Sequence, residues 1–461
     1  MHRRKLLVLC ASGLAGCLGP RPPVPPEASV TPPLAWRVDA GPSAPLEQEW
    51  WRRYGDPALA ALVERALRHN DDVAIAMTRV TEALAQERVA RAELLPTLDF
   101  SAPASRARSL NAVGREITLN AALPQFQAAY EVDLFGRLGD LADAARANAQ
   151  SSEAARDTVI LAVAATTARA YITLRALDAQ LDVVRQTLVS REEALRLARA
   201  RAEAGYTSRL EFQQARAEYE STAQAVPQAE LAVARQENAL NQLIGEAQPL
   251  AIERGRQLSD LNQPPLSGGL PAELLRRRPD IAQAEFDLAA SDASLSAARK
   301  AYLPQVNLSA GAGLLYATGA MNPVRIWSLG GSILAPIFEG GRISANADAA
   351  AARRDRAAFV YRRVVLTALR EVNDSLADLQ KLEAQEQHLQ QQRDALVASL
   401  RHATNRYKAG YSPYLEQLDA QRGLLNAELG LVQARANRLN ASVALYQAMG
   451  GGWQPAATAS Q

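Results

Sequence analysis

Residues 204–211 read Ala204-Gly205-Tyr206-Thr207-Ser208-Arg209-Leu210-Glu211, and residues 409–416 read Ala409-Gly410-Tyr411-Ser412-Pro413-Tyr414-Leu415-Glu416. The same phrase, Ala-Gly-Tyr with Leu-Glu a fixed step later, is written twice. Such repetition decides a fold, because each copy of a repeated unit takes the same structure. Working outward from the phrase, the correspondence continues. Asp72-Val73 with Leu95-Pro96 answers Asp280-Ile281 with Leu303-Pro304, and Phe135, Gly136 and Arg137 answer Phe338, Gly341 and Arg342. Leu240 and Gly245 answer Leu445 and Gly450. The chain is therefore a duplication, residues 46–248 followed by 249–452, with small length changes in the middle of each unit.

Long helical patterns flank the repeated phrase. From roughly 140 to 204 and 342 to 409 the apolar residues recur every 3.5 positions, as in Leu174, Leu177, Leu181, Val184 and Leu188, then Leu382, Leu389 and Leu396. That period winds helices around partners. At 1.5 Å per residue each run is about 100 Å long. Gly205 and Gly410 suit the left-handed backbone that ends a helix, so each unit closes a helical hairpin. In the last helix Leu418, Arg422, Leu425, Leu429, Val432, Ala436, Leu439 and Val443 step by four and three. Pro227 is expected to kink the first-copy helix, and its counterpart Val432 has no such effect.

Between each Leu-Pro pair and the long helix, near 97–134 and 305–338, the period falls to two. Phe126, Ala128, Tyr130, Val132 and Leu134 alternate with Gln127, Ala129, Glu131 and Asp133; Val306, Leu308, Ala310, Leu314 and Tyr316 alternate with Asn307, Ser309, Gly311 and Gly313. One face is apolar and the other wet. A membrane β-barrel wall and a half-buried soluble hairpin both fit that alternation. As a wall, four strands per chain cannot close alone, since an open edge in lipid leaves backbone groups unpaired at several kcal/mol each. Two copies would give eight strands and little lumen, whereas three give twelve and a usable one. The expected fold is mainly α with a β membrane part, a duplicated unit contributing four strands to a trimeric twelve-stranded barrel continued by a long α-helical barrel.

Composition narrows the partners. The chain has 51 basic and 49 acidic residues, a net charge of +2, and only 5% aromatic residues. No basic patch argues for nucleic acid, and abundant alanine suits closely packed helices. Met1-His2-Arg3-Arg4-Lys5 before Leu6 to Leu9 has the build of a secretory signal over 1–16. Leu14-Ala15-Gly16-Cys17 is similar to the cleavage site of bacterial lipoproteins, which implies an acylated Cys17, and Leu18 after it is compatible with outer-membrane sorting. Cys10 leaves with the signal, so the mature chain holds no thiol for a disulfide or a thiolate metal site. Nine prolines between Pro20 and Pro45 make 17–45 read as an extended tether, and 453–461 reads as a flexible tail. After the signal no segment offers the ~18–20 uninterrupted apolar residues of a spanning helix.

The ordered strings Trp50-Trp51 before Asp56-Pro57, Leu59 and Leu62, Asn70, Asp133-Leu134-Phe135-Gly136-Arg137, Arg278-Pro279-Asp280-Ile281, Tyr302-Leu303-Pro304, Arg406-Tyr407-Lys408-Ala409-Gly410 and Asp419-Ala420-Gln421-Arg422 complete the picture. Together they resemble the outer-membrane factors of tripartite efflux and type I secretion systems, the TolC, OprM and NodT group, over nearly the whole chain. The resemblance implies a homotrimeric passive duct, fed by an inner-membrane RND-type pump through a periplasmic membrane-fusion adaptor. It also implies a periplasmic gate at Leu415, Asp419 and Arg422 with Tyr407 nearby, and adaptor docking at the hairpin tips Gly205, Tyr206, Gly410 and Tyr411. Leu415, Asp419 and Arg422 share one helical face, while Leu210, Gln214 and Ala217 at the first-copy positions hold no charged pair. Without the resemblance, Asp419 and Arg422 read as a surface ion pair worth a few tenths of a kcal/mol.

Weaker features carry little chemistry. His69 beside Asp71 and Asp72 has no histidine partner in the second copy, and the aspartates read as a helix-start cap rather than a metal or base site. The glycines at 330–331 and 340–341 lack the Lys-Ser/Thr of a phosphate loop and read as bends or turns. No nucleophile elbow, paired-carboxylate signature or metal motif supports an enzyme, and no cofactor is called for beyond the lipid on Cys17. The competing reading is a periplasmic coiled-coil scaffold or adaptor lipoprotein without a pore.

Overall fold

The computed structural model describes residues 21–38, 47–110, 112–248, 250–264, 269–318 and 322–454. The signal segment, Cys17 and residues 455–461 of the expected tail lie outside them. The chain divides into two compact units. The first gathers residues up to Val30 with Thr78–Glu153 and Gln283–Arg363; the second gathers Thr31–Met77, Ala154–Ala282 and Val364–Gln461.

Element lengths repeat as the sequence does. Helix α1 spans Pro57–His69 and α2 Asp71–Ala92; strands β1 Thr97–Ser101, β2 Ala104–Leu110, β3 Glu116–Ala122 and β4 Gln125–Val132 precede α3, Arg137–Glu203, and α4, Arg209–Leu243. The second copy runs α5 Pro271–Arg277, α6 Pro279–Lys300, β5 Gln305–Ala317, β6 Val324–Leu334, α7 Arg342–Lys408 and α8 Tyr414–Ala448. Both long helices have 67 residues and both hairpin partners 35.

The first unit contains the sheet. The two expected first-copy strands are each broken once, at Pro103 and Pro124, where proline lacks the N–H a ladder needs. Leu123 donates to the Pro103 carbonyl across the break at 2.9 Å. Thus β1–β2 and β3–β4 are two long strands, and the antiparallel order is β1/β2, β4/β3, β5, β6. Register fixes the faces. Phe100, Phe126, Ala312 and Trp327 are directly opposed across four strands, as are Leu98, Ala128, Ala310 and Leu329. These rows form a continuous apolar face on which Trp327 is 81% and Leu329 78% exposed. Gln127, Gly311 and Ser328, and Glu131, Asn307 and Ser332, form the other face. Gly330 and Gly331 are corrected from bends to strand residues, where a Cβ would stand 3.3 Å from Ser309 and Leu308 atoms. Gly340 and Gly341 are the turn residues, at φ +59° and +87°.

The strand-to-helix turn explains Asp133-Leu134-Phe135-Gly136-Arg137. Asp133 accepts from the Leu138 and Gly139 amides at 3.1 and 2.7 Å, capping α3. Gly136 turns at φ +75°, and Arg137 pairs with Glu131 at 2.7 Å.

In the second unit the core gathers Trp50, Tyr54, Leu59, Val63, Tyr171, Ile172, Leu240, Ile244, Val443 and Tyr446. Trp50 stacks on Tyr446 with ring centroids 5.4 Å apart. Asp56 is buried because it is fully used: it accepts from the Ala58 amide, the Tyr171 hydroxyl and the Arg256 amide. One 18-residue window of α3 has mean hydropathy 1.3, but 56% of it is buried, and Ala164, Ala165, Ala168, Tyr171 and Ile172 are in this core.

Each hairpin end is tied to the short helix of its own copy. Asn70 Nδ2 donates to the Leu243 carbonyl at 3.0 Å, and Arg278 Nη1 donates to the Ala448 carbonyl at 2.9 Å. Gly245 and Gly450 follow those carbonyls with positive φ, and a Cβ there would meet the His69 or Arg277 carbonyl oxygen at 2.4 or 1.8 Å. His69 is thus placed by its backbone. The cap expected of Asp71 and Asp72 is Asn70 instead, whose Oδ1 accepts from the Asp72 amide at 2.9 Å. Pro227 lies inside α4, which runs through it without its i−4 hydrogen bond.

Within the 17–45 tether, described over 21–38 and mostly exposed there, Trp36 Nε1 donates to the Gly269 carbonyl at 2.9 Å and the Arg37 amide to Asn373 at 3.2 Å, both in the second unit.

Candidate functional site

The hairpin turns follow from the backbone. Gly205 and Gly410 adopt φ +76° and +80°, and the amides of Tyr206 and Tyr411 reach back to the Arg201 and Arg406 carbonyls, each at 2.9 Å. This closes both helices in one geometry. Tyr206 and Tyr411 stand out at the turns, 84% and 81% exposed.

Above the turns the gate candidates separate. Leu415, Asp419 and Arg422 are exposed on α8. Tyr407 is not on that face: it is 1% exposed, packed with Ala194, Ala198, Ala215, Tyr414 and Leu418. Its ring meets Tyr414 at 5.6 Å, and burial raises both phenols, Tyr414 to about 12. The Tyr407 ring thus lies behind the face that carries Leu415, Asp419 and Arg422, not on it. Arg201, of the first copy, covers it. The Arg201 guanidinium lies 4.7 Å from the Tyr407 ring centroid and donates to the Tyr407 and Lys408 carbonyls at 3.0 and 2.9 Å. It thereby caps α7 with the positive charge a helix C-terminus favours.

Arg422 does not pair with Asp419. Its guanidinium is bound by Glu218 of α4, and this hydrogen bond raises the Arg422 pKa above its usual value. Glu218 also holds Arg191 of α3 at 2.8 Å, and Arg191 donates to the Glu218 carbonyl and the Thr222 hydroxyl. Burial depresses the Arg191 pKa. Asp419 has no hydrogen-bond or ion-pair partner among the described residues.

The second hairpin shows what this layer is made of when no charge is needed. A Cβ on Gly423 would stand 3.1 Å from Leu396, and one on Gly430 3.6 Å from Leu389. Leucines seven apart fit glycines seven apart, a knob-and-hole seam. By the duplication, Arg191 and Glu218 occupy the places of Leu396 and Gly423. Where the second copy has an apolar knob and its hole, the first has a buried ion pair that continues to Arg422. Comparing the copies at Arg191 and Glu218, as at Gln214 and Ala217, would have found it.

The family model described as outer membrane efflux protein matches residues 62–246 and 270–451. The chain belongs to the outer membrane efflux protein family. It is 35% identical to the pyoverdine export outer membrane protein OpmQ of Pseudomonas aeruginosa, covering 98% of each chain. It is also 35% identical to the toluene efflux pump outer membrane protein TtgC of Pseudomonas putida, over 89% of this chain and 86% of the relative. The solved outer-membrane channel OprN superposes with a TM-score of 0.87 at 30% identity, covering 95% of this chain and 100% of that one. The protein is an outer-membrane channel component for efflux, resident in the bacterial outer membrane, in a family of channels rather than enzymes. The sheet is accordingly read as membrane wall, and the pore-less scaffold reading falls away.

Proposed function

We propose that three copies close a twelve-stranded barrel and form a passive duct for small molecules, joined through a periplasmic adaptor to an inner-membrane RND-type pump. The observation that supports this is the sheet: one continuous apolar face, and outer edges on β1 and β6 with no strand beside them among the described residues. Lipid tolerates no open edge, so neighbouring copies must supply the missing ladders. Cys17 carries the N-terminal lipid in this reading, and the exposed Tyr206 and Tyr411 turns receive the adaptor.

The gate is Leu415, Asp419 and Arg422 repeated around the three-fold axis, with Glu218 fixing Arg422 in each chain. Asp419→Ala combined with Arg422→Ala is expected to raise single-channel conductance in a planar bilayer several-fold. The first-copy control Gln214→Ala leaves conductance at the parent level. Parent-level conductance in the double variant removes the gate from the proposal.

A further inference from the structure

We propose that Arg354 is a built receptor for the chain's own proline-rich N-terminal strap, so that the membrane anchor is held at a fixed place on the first unit rather than on a free leash. The side chain is 2% exposed, in α7. Its guanidinium is used on three sides: Nε donates to Asp355 at 2.8 Å, Nη1 to the Pro22 carbonyl at 3.0 Å and Nη2 to the Pro23 carbonyl at 3.1 Å. Two successive carbonyls are thus read by one planar fork, a geometry that lysine's point charge cannot reproduce.

The strap is shaped for this. Polyproline backbone makes no internal hydrogen bonds and is extended before binding, so its carbonyls are available at little entropic cost. Pro25 has φ −54° and ψ 126°, and the chain then closes a short turn over Pro26–Ala28 in which Ala28 is 5% exposed. On the near side Arg21 pairs with Asp292. The strap is therefore fastened before, at and after the fork, all within the first unit.

Its placement bounds the reach of the anchor. Arg354 stands twelve residues along α7 from Arg342, about 18 Å of helix. Five residues separate Cys17 from Pro22, at most ~18 Å of chain. A lipid on Cys17 is then confined to within ~18 Å of the clamp. This consequence rests on the acylation reading, but the clamp itself does not.

The test uses the full chain in isolated outer membranes, with Ala28→Cys as reporter and the parent's own labelling subtracted. Arg354→Leu should speed maleimide labelling of that cysteine about tenfold or more, the factor that ~1.4 kcal/mol of closing free energy is worth. Arg354→Lys should behave like Arg354→Leu, because one ammonium cannot bridge both carbonyls. Pro22→Gly with Pro23→Gly keeps every carbonyl and the buried arginine while removing the preformed extension, and should give a smaller acceleration. Labelling unchanged in Arg354→Leu, or in the double glycine variant should Arg354→Leu fail to assemble, overturns the proposal. Metabolic palmitate labelling checks Cys17 separately: its absence removes the reach argument, whereas protection of Ala28→Cys that persists in Cys17→Ser supports the clamp.

Discussion

Ala310→Arg should prevent assembly of the protein in the outer membrane, whereas Asn307→Arg, three residues away on the same strand, should not. Ala310 lies near the middle of β5 in the apolar row with Ala128 and Leu329. An arginine on a lipid face near mid-membrane costs about 2–4 kcal/mol, and a three-fold assembly incurs it three times. Because alanine fills almost no space, little packing is lost, so the effect reports on the surroundings of that face. Asn307 faces the other way and is directly opposed by Glu131. An arginine there meets water and a carboxylate. The measurement is the fraction of each variant recovered in outer membranes as a folded oligomer that resists unheated detergent.

The second large effect is expected at Arg278. Its guanidinium binds Asp280 through two bonds at 2.9 and 2.6 Å, Glu371 at 2.7 Å and the Ala448 carbonyl at 2.9 Å. It therefore joins the start of α6, the middle of α7 and the end of α8 in one place. Breaking a buried pair by deleting one partner costs on the order of 3–5 kcal/mol; Asp280 and Glu371 are 28% and 37% exposed, so the lower end is expected. Arg278→Ala should lower the temperature at which the oligomer dissociates by several degrees, and Arg278→Lys, with the charge but not the fork, should recover part of it. Equal stability of Arg278→Ala and the parent would show that the tie is dispensable.

Much of this was legible in the sequence because duplication provides an internal control. The Gly205 and Gly410 turns, the long helices and the alternating strands each appear twice, and chance does not repeat in order. Contacts whose partners differ between the copies were hidden. Asn70 and Arg278 do one job, reaching the Leu243 and Ala448 carbonyls, with different side chains, so no shared letter marks it. Tyr407 belongs to a string that carries the family resemblance, yet a string does not say which way a side chain points, and this one points inward. Glu218 and Arg191 lie far from Arg422 in sequence, and only folding unites them. Composition at 20–45 shows only an extended proline-rich segment; that Arg354, more than 300 residues on, takes hold of two of its carbonyls is visible only in the fold.

Cysteine scanning along β5 should read out the two faces of the sheet as the lipid side and the water side of a duct wall. Single cysteines from Val306 to Leu314 would be exposed, in intact outer membranes, to a water-soluble thiol reagent that does not enter lipid. Period-two labelling is expected, with Asn307, Ser309 and Gly311 modified and Val306, Leu308, Ala310, Ala312 and Leu314 protected; Gly313 is left out because a Cβ there would stand 2.5 Å from the Pro124 carbonyl oxygen. Uniform labelling of both sets, or labelling of the apolar set alone, would contradict that assignment of the faces.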